Sequence, residues 1–153
     1  MRDGDGWTEC TLGHRHWGRY GAAGLLAVTQ RTSTARTPYV LMQHRAAWSH
    51  GGDTWGVPGG ARGSTESALV AAQRETVEET GIDVAQAVPV AEHVADHGSW
   101  RYTTIVATVP VRLPVVPDQE SIALRWVPVD EVTSLPLLPA FAAAWPALLR
   151  LLP

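Results

Sequence analysis

Two apolar runs stand early in the chain, residues 24–30 (GLLAVTQ) and 38–44 (PYVLMQH), separated by a polar stretch of Thr, Ser and Arg. Their aliphatic and β-branched content predicts an antiparallel strand pair with a loose hairpin loop. Residues 48–63 carry Gly51, Gly52, Gly56, Gly59, Gly60 and Gly63 together with Pro58, which predicts a loop. A helix over 66–80 (ESALVAAQRETVEET) follows, with Ser64 or Thr65 as its cap and Gly81 as its stop. On that helix Leu69, Val70 and Val77 lie roughly opposite the acidic positions and are expected to be its buried face. Ala68, Ala71 and Ala72 share the acidic face, where small side chains would let the glycine-rich loop come close.

Beyond the helix, 82–90 and 92–95 are short strand candidates, 100–109 (WRYTTIVATV) is the clearest strand, and 122–129 (IALRWVPV) is another. A last helix is expected over 139–152, disturbed by Pro146. Residues 1–20 are rich in Gly, Arg and His, follow neither period, and are read as an irregular arm. Strands on both sides of one strong helix predict a mixed α/β or α+β sandwich.

Composition narrows the class. A chain of 153 residues fits one domain, and 45% hydrophobic content suffices for a core. Charged residues are only 18%, too few for charge-driven disorder. The net charge of −3 argues against a protein that holds a nucleic-acid polymer through a basic surface. Every basic residue is Arg, the better phosphate partner of the two. Cys10 is the sole cysteine, which excludes an internal disulfide and any site built on several thiolates. The start, MRDGDGWTEC, has no apolar signal core, and the apolar stretch 135–149 is too short to span a bilayer and is broken by Pro136, Pro139 and Pro146. A cytoplasmic domain without a membrane partner is the expectation.

The chemistry concentrates on the helix. At 100° per residue, Glu75, Glu78 and Glu79 fall within an arc of about 100°. Neighbouring like charges repel by a few tenths of a kcal/mol per pair. A divalent cation removes that penalty, and hard oxygen donors suit Mg²⁺ or Mn²⁺. Taken alone, such a cluster is more often a solvated acidic face.

Its neighbours decide the matter. Gly60, five residues, Glu66, seven residues, then Arg74, Glu75, Thr76, Val77, Glu78, Glu79, Thr80, Gly81 and Ile82 resemble the Nudix box, G-x5-E-x7-R-E-U-x-E-E-x-G-U, where U is a bulky apolar residue. Every fixed position matches, and Thr76 alone departs from an aliphatic preference. Upstream, 55–60 (WGVPGG) is similar to the W-x-x-P-G-G lead-in of the family, and the resemblance spans roughly residues 20–150. It implies an α/β/α sandwich with a mixed sheet, with residues 1–19 as the arm and 20–153 as the Nudix domain. It also implies Mg²⁺- or Mn²⁺-dependent hydrolysis of a nucleoside diphosphate linked to a further group X. By position, Glu75, Glu78 and Glu79 resemble the metal ligands, joined by the Gly59 carbonyl. One of them, Glu75 or Glu78 favoured, would also orient or deprotonate the attacking water. Arg74 would hold a glutamate in its productive rotamer, and Glu66 would be mainly structural. Glycines at 59 and 60 would let backbone groups approach metal and phosphates.

Outside the box, Asp118 and Glu120 are candidates for the distant acidic ligand common in the family, with Glu120 favoured. A nucleobase asks for flat surfaces. Trp100, Tyr102, Trp48 and Trp17 are available, and Arg45 follows a core strand toward the box loop. Strand alternation puts Trp100, Tyr102 and Thr104 on one face. His14-x-His16 lacks a third ligand nearby in sequence and is read as a solvated pair, and Cys10 as inert. The proline typical of ADP-ribose hydrolases is absent downstream, where His97 and Gly98 stand, as are the NADH and coenzyme A signatures. The expected partner is a small nucleotide, either a nucleoside triphosphate, oxidised forms included, or a nucleotide sugar. A homodimer stays open. The competing class is a catalytically silent Nudix module that senses a nucleotide; such modules usually degrade the box glutamates, which are intact here.

Overall fold

The alternation of inward-facing positions along one central strand organises the molecule. The computed structural model describes residues 2–153. Its strands are β1 (Trp7–Glu9), β2 (Arg15–Trp17), β3 (Ala22–Thr29), β4 (Tyr39–Arg45), β5 (Trp55–Gly56), β6 (Gly59–Ala61), β7 (Val88–Asp96), β8 (Arg101–Val109) and β9 (Ser121–Pro128). The helices are α1 (Ala68–Thr80) and α2 (Pro139–Leu151). β3 is buried along its whole length, as a strand covered on both faces must be. Its Ala23, Leu25 and Ala27 join Ala71 and Ala72 of α1, Leu41 and Ile105 in one core. The alternate residues Leu26 and Val28 join Met42, Val106, and Phe141, Trp145 and Leu148 of α2 in the other. A helix layer on each side of a mixed sheet is the α/β/α sandwich expected.

The sheet runs β5-β4-β3-β8-β7, with β6 added to β3 and β9 to β4. β3 and β8 are parallel, from Ala22↔Tyr102 to Thr29↔Val109. β3 and β4 are antiparallel, as read from the sequence, but pair only at Val28↔Val40. Below that point they part: β3 takes β6 through Ala22↔Ala61 to Gly24↔Gly59, while β4 takes β9 and β5. This split brings the glycine-rich segment to the middle of the sheet. Close approach there depends on glycine, since a methyl on Gly59 would lie 2.6 Å from the Ala23 carbonyl oxygen.

Several expectations need correction. α1 starts at Ala68, and its cap is Ser67, whose hydroxyl accepts the Val70 N–H at 3.1 Å; neither Ser64 nor Thr65 caps it. Gly81 does stop the helix, at φ 65°. The buried face of α1 is not Leu69, Val70 and Val77. Val70 and Val77 are 50% and 42% exposed, Leu69 is half-buried, and Ala71, Ala72, Thr76, Glu79 and Thr80 face the sheet. Small residues win the inner face because α1 lies against β3 and β6. Thr76 satisfies its buried hydroxyl by donating to the Ala72 carbonyl at 2.7 Å. The region 82–95 forms a 3₁₀ turn over Val84–Gln86 and then one strand, β7, with a bulge between Pro89 and Ala91 where proline interrupts the ladder. The loop predicted over 48–63 contains the short strands β5 and β6.

The arm is not irregular. β1 and β2 form an antiparallel hairpin, Trp7↔Trp17 to Glu9↔Arg15, too short for its period to register in sequence. The hairpin docks on the β7–β8 turn, where the Thr11 N–H donates to the Ser99 hydroxyl at 3.0 Å and the Trp100 indole N–H to the Gly18 carbonyl at 2.7 Å. Among the described residues no helix is long and apolar enough to cross a membrane.

Candidate active site

Glu66, Arg74 and Glu75 form a chain of charge-assisted hydrogen bonds that ties the glycine-rich segment to α1. Arg74 meets Glu66 bidentately, Nε to Oε2 at 2.8 Å and a terminal nitrogen to Oε1 at 2.7 Å. The same guanidinium reaches Glu75 Oε1 at 2.7 Å and the Ala61 carbonyl at 3.1 Å. Glu66 also accepts the Gly63 N–H at 2.8 Å. These bonds hold the Glu66 carboxyl at a pKa of about 2, Arg74 being the main cause, and raise that of Arg74 further. Glu66 thus bridges the glycine-rich segment and Arg74, and Arg74 in turn bonds the Glu75 carboxylate. A methyl on Gly60 would come within 2.6 Å of the Glu75 carboxyl carbon, so glycine there gives Glu75 its place.

Glu79 lies deepest, 3% exposed. Its Oε2 accepts the Gly59 N–H at 3.0 Å and the Gln43 amide at 3.4 Å. Burial raises its pKa to about 9, with further contributions from Glu120 and Glu75. Glu75 is also raised, mainly by burial and against the pull of Arg74. Glu78 is more exposed and meets the Arg2 guanidinium, with Arg74 at 3.7 Å on its other oxygen. Glu120 arrives on the loop before β9, where its N–H donates to the Asp118 carboxylate at 3.0 Å and its carbonyl accepts the Ala46 N–H at 2.9 Å. Asp118 is therefore a loop-forming residue, and Glu120 is the carboxylate beside Glu79. Mutually repelling carboxylates gathered against a glycine backbone, one of them buried, are the hard-oxygen donor set that suits a divalent cation.

Beside this cluster opens a mostly apolar cavity lined by Arg45, Trp100, Tyr102, Leu138 and Phe141, among others. Trp100, Tyr102 and Thr104 all face it, as strand alternation predicts. Tyr102 joins cavity to cluster, because a methyl on Gly59 would sit 2.6 Å from its hydroxyl. Burial, with Glu79 nearby, raises the Tyr102 pKa, so the hydroxyl stays protonated. Arg45 lines the cavity while donating from Nε to the His50 carbonyl at 2.9 Å. Trp100 offers less than a free face: His16 stacks on it at 3.9 Å and 6°. Trp48 is 71% exposed, Trp17 packs edge-on against Trp7, and neither lines the cavity.

Two members of the cluster were not singled out from sequence. Gln43 is 1% exposed and links Glu79 to the Ser121 hydroxyl, the latter at 2.8 Å. Its signal was a polar residue inside the apolar run YVLMQH. Arg2 had none, since nothing in the chain before folding places residue 2 against Glu78.

A family model described as NUDIX domain matches residues 19–150. A Mycobacterium tuberculosis H37Rv protein named "Putative 8-oxo-dGTP diphosphatase 3" is 50% identical over 149 residues, covering 94% of this chain and 68% of its own length. A Bifidobacterium longum "Nucleoside triphosphate pyrophosphatase/Nudix hydrolase fusion protein" is 42% identical over 146 residues, 94% of this chain and 30% of that one. Among solved structures, the M. smegmatis Nudix hydrolase RenU superposes with a TM-score of 0.89 at 43% identity, over 96% of this chain and 94% of that one.

Proposed function

The chain belongs to the Nudix hydrolases, enzymes that cleave pyrophosphate bonds, and we propose that it is a Mg²⁺-dependent pyrophosphohydrolase of nucleoside triphosphates, oxidised purine forms included. The observation that carries this reading is the burial of Glu79 between Glu75 and Glu120, against the Gly59 backbone. Such a group of carboxylates is costly without a cation and matched to one. Glu75, Glu78, Glu79 and Glu120, with the Gly59 carbonyl, would hold Mg²⁺ or Mn²⁺. The bound ion would neutralise charge developing on the diphosphate.

The chain's own groups supply the rest. Arg74, anchored by Glu66, keeps the Glu75 carboxylate pointed at the cluster. Glu75 or Glu78 accepts the proton of the attacking water, a role that suits the less buried carboxylates better than Glu79. Gly60, lacking a side chain, would let the backbone come close to the phosphates. Arg45, in the cavity lining, meets phosphate charge, and the Tyr102 ring forms the flat wall of the base pocket, with Trp100 at its edge. The choice of an oxidised purine triphosphate over a nucleotide sugar rests on the name carried by the M. tuberculosis relative and on its 50% identity.

A panel of nucleoside triphosphates, 8-oxo-dGTP and nucleotide sugars, assayed with Mg²⁺ for pyrophosphate and for phosphate, tests the reading. The expected outcome is pyrophosphate with nucleoside monophosphate from a triphosphate, abolished by EDTA and restored by Mg²⁺ or Mn²⁺. Turnover that persists after thorough chelation overturns the metal assignment. Turnover confined to nucleotide sugars overturns the substrate assignment.

A further inference from the structure

Outside the carboxylate cluster, the tip of the N-terminal hairpin gathers a second set of metal-ligating side chains. Cys10, His14, His16 and His97 each offer one donor atom, and all four atoms lie within 4.8 Å of one another. The geometry follows from the local fold. The Cys10 N–H donates to the His14 carbonyl at 2.9 Å across a tight turn whose Gly13 has φ 82°, so Cys10 and His14 stand opposite each other. His16 follows His14 on the same face by strand alternation, opposite Thr8. His97 comes from the β7–β8 turn, held by its N–H to the Trp100 carbonyl at 2.8 Å and by the Thr11 hydroxyl on its own carbonyl at 3.2 Å. The pair read from sequence as solvated thus gains two further donors from the fold, one of them the buried Cys10.

Two members of the cluster carry a second observation. His16 Nε2 and His97 Nδ1 are buried with no hydrogen-bond partner among the described residues. Buried polar atoms are almost always satisfied, so such orphans call for a ligand. The rings of His16 and His97 lie 4.7 Å apart, and His14 lies 5.7 Å from His97. One thiolate and three imidazoles are a borderline-soft donor set, unsuited to Mg²⁺ and well suited to Zn²⁺. A tetrahedral zinc site with bonds of about 2.0–2.3 Å has donors about 3.3–3.8 Å apart. The four atoms need to close by about 1 Å, and His14, whose side chain is exposed, is free to swing.

We propose that Cys10, His14, His16 and His97 form a closed four-ligand Zn²⁺ site that fastens the N-terminal hairpin to the β7–β8 turn. Four protein ligands leave no open position, so the role is structural. Binding releases the Cys10 thiol proton to solvent. The site is distinct in place and ligand chemistry from the carboxylate cluster, and it stands whether or not the nucleotide assignment does. Through His16, stacked on Trp100, it also sets one wall of the cavity.

The test uses the purified full chain, stripped of metal and then dialysed against Zn²⁺ with excess Mg²⁺ to occupy the carboxylates. Elemental analysis is expected to give one Zn²⁺ per chain, with a higher melting temperature than the stripped protein. Co²⁺ in its place is expected to show the visible bands of tetrahedral coordination and a near-ultraviolet thiolate charge-transfer band. Cys10→Ser removes that band, His14→Ala weakens Zn²⁺ binding by about a hundredfold or more, and Glu78→Gln leaves it intact. Because His14 is exposed, its variant keeps its fold without metal, which a circular dichroism spectrum verifies. Zinc that is retained in His14→Ala and Cys10→Ser but lost in Glu78→Gln, an octahedral Co²⁺ spectrum, or no zinc uptake by the folded wild type each overturns the proposal.

Discussion

Glu79 and Glu66 show how two carboxylates of one motif are set to opposite tasks by their surroundings. Glu79 is buried beside other acids and is held protonated there without a cation, so a neutral amide of the same shape suits the site and still accepts the Gly59 N–H. Glu79→Gln is therefore expected to melt at or above wild type in EDTA while kcat falls by about two decades or more. Parallel melts and single-substrate kinetics on the same sample check both halves. Glu66 is the reverse case. Its folded pKa of about 2 lies below the ordinary 4.5, so the unfolded chain takes up its proton first as pH falls. The stability it contributes is complete above about pH 4.5 and is lost as pH drops toward 2. Replacing a charge-assisted pair by a neutral amide costs about 1–2 kcal/mol, or about 3–6 °C in a chain of this size. Glu66→Gln should show that loss at pH 7 and a flatter melting-temperature profile between pH 5 and about 2.

At the scale of elements, α1 shows what a helical wheel conveys and what it hides. The positions of Glu75, Glu78 and Glu79 on one side, and the stop at Gly81, were legible because spacing and a left-handed glycine are local properties. Which side is buried was not, because it depends on what the helix lies against. Packing on β3 and β6 buries Ala71, Ala72, Thr76, Glu79 and Thr80, and Val70 and Val77 turn outward. Two substitutions expose the difference. Val77→Ala is expected to shift the melting temperature by no more than about 2 °C, since exposed substitutions stay within about 0.5 kcal/mol. Ala72→Val adds bulk to a fully buried site and should cost about 1–3 kcal/mol. Thermal melts that reverse this order would restore the face read from the sequence. The same limit hid the hairpin, whose three-residue strands are shorter than any reliable period.

Across the whole molecule, the layers and the box were readable, whereas the joining of distant segments was not. Glu120 reaches Glu79 from beyond α1, and His97 reaches His14 from a distant part of the sequence. Nothing local encodes either meeting. Trp100 sits at one such joint, buried at 7%, bonded to Gly18 and stacked on His16. Truncating a core Trp to Ala costs about 3–5 kcal/mol. Trp100→Ala is therefore expected to lower the melting temperature by about 6 °C or more, with KM for the best nucleotide changing less than threefold because His16 already covers the indole. A large KM change without loss of stability would make Trp100 a stacking surface instead. The parallel pairing of β3 with β8 carries a kinetic consequence. The strand at the centre of both cores finds this partner only after the glycine-rich loop, α1 and β7 have all been made, from Ala22 to Tyr102. A chain emerging from the ribosome must hold the apolar β3 with one edge unpaired through that interval. Refolding is accordingly expected to be slow for a domain of this length, and most prone to aggregation before β8 docks.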